Sequence, residues 1–136
     1  MTPLRSLISP ARKVSQTVPI SVHGANRLKF TPDGKLVLIS GLGTGGGGPA
    51  VSGGDLAVLD VATRQGVKML SLGGGSAGIL VAPDGGRAYV AVSANDSVAV
   101  VDLKALQMTG QIRTGKQPDG LAWAVRNELD RIRSAD

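Results

Sequence analysis

The sequence predicts an all-β chain in which four-stranded antiparallel sheets repeat radially, and three observations carry that expectation. First, the chain is written twice. Phe30-Thr31-Pro32-Asp33-Gly34-Lys35 returns as Val81-Ala82-Pro83-Asp84-Gly85-Gly86, and Leu56-Ala57-Val58-Leu59-Asp60 returns as Val98-Ala99-Val100-Val101-Asp102. A third copy begins at Gly115 and runs to Trp123, lying over residues 73–81. Second, the step from Asp60 to Asp102 and from Gly73 to Gly115 is 42 residues. A period near 40 built from short apolar strands and Gly-containing turns marks radially repeated sheets. Third, Phe30, Tyr89 and Trp123 are the only aromatics. A core of Val, Leu, Ile and Ala suits thin sheets stacked face to face.

The elements follow in order. Residues 17–22 are β-prone, and Pro19 confines them to an edge. Residues 28–31 alternate and end in Pro32-Asp33-Gly34, a turn in which Pro fixes φ and Gly supplies a positive φ. The chain returns over 36–40. After a Gly-rich stretch, 56–59 is continuously apolar, as expected of a strand covered on both faces. Residues 67–72 make the fourth strand. The second unit repeats this as 79–82, 88–92, 98–101 and 109–114, the last of them polar enough for an outer rim. A single inner strand is expected at 121–123. Val125, Leu129 and Ile132 fall at helical spacing, which predicts a short C-terminal helix. The expected domains are a disordered leader (1–13), about two and a half units (14–124) and a helical tail (125–136).

Composition excludes several classes. The net charge is +5, but residues 1–13 alone carry Arg5, Arg12 and Lys13 with no acid, and 123–136 balance three bases against three acids. No Lys/Arg stripe interleaved with aromatics exists, so nucleic-acid binding is not expected. No run reaches the roughly 18 apolar residues of a membrane span. Cysteine is absent, which removes disulfides and thiolate metal sites and leaves the compartment unread. Residues 1–13 lack the apolar stretch of a signal peptide.

The units resemble the YVTN-type β-propeller repeat family. The second carries Pro83-Asp84-Gly85, Tyr89-Val90-Ala91, Val100-Val101-Asp102 and Gly115; the first carries Pro32-Asp33-Gly34, Leu59-Asp60-Val61-Ala62-Thr63 and Gly73. The departures are Leu38 in place of Tyr, Val92 in place of Asn, and nine extra residues in the first unit. The resemblance implies a seven-bladed ring in full-length relatives, often periplasmic or extracellular. This chain would then be a partial β-propeller: two four-stranded antiparallel blades plus flanking single strands. Propellers close with typically 4–8 blades. Two blades leave both outward faces bare, so the expected partners are the remaining blades or further copies of the chain.

Motifs that invite chemistry have plainer readings. Gly41-Leu42-Gly43-Thr44-Gly45-Gly46 imitates a dinucleotide fingerprint, with Asp60 about 20 residues on. That fingerprint requires a helix after the glycines, and residues 47–54 cannot hold one. Asp33 and Asp84 sit in turns, and Asp60 and Asp102 recur once per unit, which points to structural roles. His23 is the only histidine, so a multi-His metal site is excluded, and no Ser/His/Asp grouping has support. Catalytic residues, metal and cofactor are therefore not expected. In the propeller geometry the loops at 23–26, 41–54, 73–78, 93–97 and 115–119 open on one face, and binding usually resides in loops on a rigid scaffold. His23, Asn26, Asn95, Asp96, Lys116 and Asp119 are the expected contacts for a protein or small-molecule ligand. The expectation is a non-catalytic binding scaffold, a fragment of a larger propeller or a self-associating short form. The alternative is a fragment of a quinoprotein dehydrogenase-like or lactonase-like propeller enzyme.

Overall fold

A computed structural model describes residues 12–43 and 55–125. The expected leader, apart from Arg12 and Lys13, and the expected C-terminal helix, apart from Val125, lie outside the described residues. Eight strands form two antiparallel sheets: β1 (Ala25–Phe30), β2 (Leu36–Gly41), β3 (Asp55–Asp60) and β4 (Gln65–Ser71), then β5 (Ile79–Val81), β6 (Arg87–Val92), β7 (Ser97–Asp102) and β8 (Gln107–Arg113). Both sheets run in sequence order, β1-β2-β3-β4 and β5-β6-β7-β8, so each unit is a meander. The strands of lowest sequence rank, β1 and β5, are neighbours across the two sheets, as inner strands around a common axis would be. The fold is an open partial propeller of two blades.

The hairpins close through side chains that the sequence repeats. Gly34 and Gly85 take φ of 71° and 75°, which the Pro-Asp-Gly turns require. Asp33 Oδ1 accepts from the Lys35 amide at 2.9 Å and from Thr31 Oγ1 at 2.6 Å; Asp84 Oδ1 accepts from the Gly86 amide at 2.9 Å. After the third strands, Asp60 Oδ1 accepts from the Thr63 amide and Asp102 Oδ1 from the Lys104 and Ala105 amides, all at 2.8 Å. These bonds to the charged form hold Asp60 and Asp102 below the ordinary carboxylate range, and the Thr31 hydroxyl leads the same effect at Asp33. The four periodic aspartates are turn residues. Each blade also carries a bulge at the same step between its third and fourth strands, at Val58/Leu59 and at Val100/Val101.

Period-two alternation gives every sheet two apolar faces. From sheet one, Leu38, Leu56, Val58, Leu70 and Leu72 face sheet two, which answers with Val81, Ala88, Val90, Val92, Ala99, Val101 and Leu103. A second cluster lies on the opposite face of sheet one, where Val37, Ile39, Ala57 and Leu59 are covered by Val18, Ile20 and Val22. Fully burying one such aliphatic side chain contributes roughly 1.5–3 kcal/mol, so these two layers hold the molecule together.

The flanking segments differ from the single strands expected. Residues 17–22 are extended and bury alternate side chains, yet only Val18 makes an isolated bridge. Residues 121–123 have no regular structure; Trp123 instead rests on Tyr89, ring centroids 6.4 Å apart. A strand needs a ladder partner for its backbone groups, and the middle strands of both neighbouring blades are missing among the described residues. The side chains dock where a blade would put them; the ladder does not form.

Candidate functional site

The Pro-Asp-Gly turns occupy one end of the sheets, and the other loops gather at the opposite end. There the contacts run from loop to loop. The amides of Gly43 and Leu42 donate to the carbonyls of His23 and Gly24 at 3.0 Å. The Ser76 amide donates to the Gly41 carbonyl at 2.9 Å, and buried Ser40 donates its hydroxyl to the Ala77 carbonyl at 2.6 Å. The Ala94 amide donates to the Gly75 carbonyl at 3.3 Å. Beyond it, Ser93 Oγ donates to the Pro118 carbonyl at 2.6 Å, and the Gln117 amide donates to Asp96 Oδ1 at 2.9 Å. One continuous band therefore links the loops of both blades with residues 115–119.

Close backbone approach explains two small residues in this band. A Cβ on Gly41 would run into Val22 Cγ1 and stand 2.5 Å from the His23 carbonyl, and one on Gly78 would collide with the Asp119 carbonyl. Glycine lets the incoming and outgoing segments lie directly on the sheet ends.

Of the six expected contact residues, Asn26 and Asp119 are brought together through Arg27, which opens the inner strand of the first blade. Its Nη1 donates to Asn26 Oδ1 at 2.7 Å, and its Nη2 stands 3.9 Å from Asp119 Oδ2. Asp96, at φ 50° in the left-handed region, uses its carboxylate on the Gln117 amide and its carbonyl on the Thr114 amide. Asn95 is half-buried beside Gly73; the His23 imidazole and Lys116 are exposed and stand apart from the Arg27 group. Arg27 was not among the expected residues. Its place at the start of an innermost strand, next to Asn26, is the signal that could have found it. No group of three or more His, Cys, Asp or Glu comes together among the described residues. The arrangement offers an amide, a guanidinium and a carboxylate on a rigid rim, which is hydrogen-bonding chemistry.

The class is thus a partial β-propeller with a polar loop face, and comparison with known proteins agrees at the level of fold. Among solved structures, the Myceliophteria thermophila Cps50 (Swd1) β-propeller domain matches with a TM-score of 0.63 at 15% identity, covering 79% of this chain and 30% of that one. Hydrazine synthase of Kuenenia stuttgartiensis matches with a TM-score of 0.62 at 25% identity, covering 78% of this chain and 28% of that one. The chain spans less than a third of each of these structures. No family model matches the chain, and no curated protein does.

Proposed function

We propose that this chain is a non-catalytic section of a larger propeller of the YVTN-repeat type, serving as a scaffold whose loop face binds a partner. The observation that supports this most is the unequal cover of equivalent surfaces. The junction between the two sheets is a closed apolar layer, whereas both outward flanks leave apolar residues in water, among them Leu28, Phe30, Met69 and Ile112. Blades need neighbours on both sides. The loop-face contacts offered to a protein or small molecule are Asn26 and Asp119 around Arg27, with His23, Asn95, Asp96 and Lys116 along the rim.

Light scattering of the purified chain across a concentration series tests the reading. Association that grows with concentration and is suppressed by Ile112→Lys is expected. A monomer that stays monodisperse at high concentration would remove the need for further blades.

A second reading has one observation in its favour: hydrazine synthase, one of the structural neighbours, is an enzyme. Two blades would then supply part of a site drawn from many blades, of quinoprotein dehydrogenase-like or lactonase-like type. A quinone chromophore or stoichiometric metal retained on purification would favour it, and an apo spectrum with no metal would favour the scaffold.

A further inference from the structure

The flank of the first blade shows what kind of sheet would cover it. The repeat places Leu28 and Phe30 of β1 over Ile79 and Val81 of β5. Val81 is 8% exposed and Ile79 packs against the inter-sheet core, whereas Phe30 is 49% and Leu28 40% exposed. The difference is what lies across from them. β5 faces a complete blade, but the corresponding side of β1 is met only by residues 17–22. Those residues stand where an outermost strand stands: Ile20 and Val22 cover Val37, Ile39, Ala57 and Leu59 as Leu70 and Leu72 cover the second sheet. The outer strand of a preceding blade is present; the three strands inside it are not.

We propose that residues 17–22 are a donated fourth strand, and that the occupant of this flank is a three-stranded antiparallel sheet, a blade lacking its own outer strand. The proposal rests on the propeller-section reading above. An intact second copy does not fit, because its β8 would claim the ground that residues 17–22 hold. The occupant pairs its last strand with residues 17–22 and lays aliphatic side chains at i and i+2, in the manner of Leu56 and Val58, over Leu28 and Phe30. Backbone ladder bonds would supply affinity, and the alternate side chains specificity.

The probe is the chain's own three-stranded segment. A second copy of residues 25–64 inserted between Val14 and Ser15 gives residues 17–22 the register that β4 has after β3. Hydrogen exchange should then show amides in 17–22, Pro19 aside, protected about tenfold or more over the parent chain, as expected for strands that open only with a blade. Phe30→Asp in the original copy should abolish that gain while leaving the parent chain's exchange unchanged. Unchanged exchange in 17–22, or an aggregated product, overturns strand donation. Concentration-dependent association of the parent chain is measured separately, so the propeller-section reading can survive that result.

Discussion

Leu70 and Ile112 occupy the same place in successive blades and live in different surroundings. Each sits on an outer strand opposite a matched partner, Leu56 and Val98 respectively. Leu70 is 8% exposed because the second sheet covers it; Ile112 is 51% exposed because residues 115–125 reach only as far as Tyr89. Val58 and Val100 repeat the contrast, the first fully buried and the second half-buried. The residues are alike, so the difference measures the neighbour. In a stacked-sheet protein, stability belongs to junctions between units.

The largest effect should come from breaking the covered side. Leu70→Ala is expected to cost about 2–5 kcal/mol, and Ile112→Ala to stay within about 0.5 kcal/mol, as for an exposed residue. Chemical denaturation of the two variants checks the pair; equal losses would mean that the second flank is covered after all. Next come the two close approaches. Gly41→Ala and Gly78→Ala should each cost about 1–3 kcal/mol through overpacking. They separate by fluorescence, since Trp123 is the sole tryptophan: Gly78→Ala lifts the segment that carries it, and Gly41→Ala acts on the opposite flank.

A smaller effect concerns Ser40, whose place in the second blade is held by Ala91. Ser40→Ala deletes a buried bond to the Ala77 carbonyl and should cost about 1 kcal/mol, with faster amide exchange confined to residues 75–78. The smallest is the acid response. Asp33, Asp60 and Asp102 have folded-state pKa values below the ordinary one. Their contribution is therefore complete above the ordinary aspartate range, near pH 4, and is lost as pH falls through the depressed values. Asp60→Asn and Asp102→Asn should flatten the acid limb of a thermal-denaturation series to similar degrees, because both carboxylates cap matched turns.

The repeat made the blades legible. β2, β3, β6 and β7 lie where apolar runs stand in the sequence, and the Asp residues that recur prove to be turn acceptors. The flanks were less legible: residues 17–22 and 121–123 have strand composition, but a ladder depends on a partner that local sequence cannot supply. Within the candidate site, loop membership followed from the repeat, whereas pairing did not. Arg27 and Asp119 are far apart in sequence and meet only because the third repeat folds back across the first two. A lone arginine at a strand start gives no sign of that by itself.

The bulges at Val58/Leu59 and Val100/Val101 have a consequence for size. An extra residue at that step bends the strand and raises local twist, so each unit swings its rim by its own amount before meeting the next. The angular pitch is then a property of the monomeric repeat, dictated upstream of any closure event. A circle assembled from such wedges would count its members by arithmetic on that one angle, and repairing or deleting the kink should change how many are needed to come full circle.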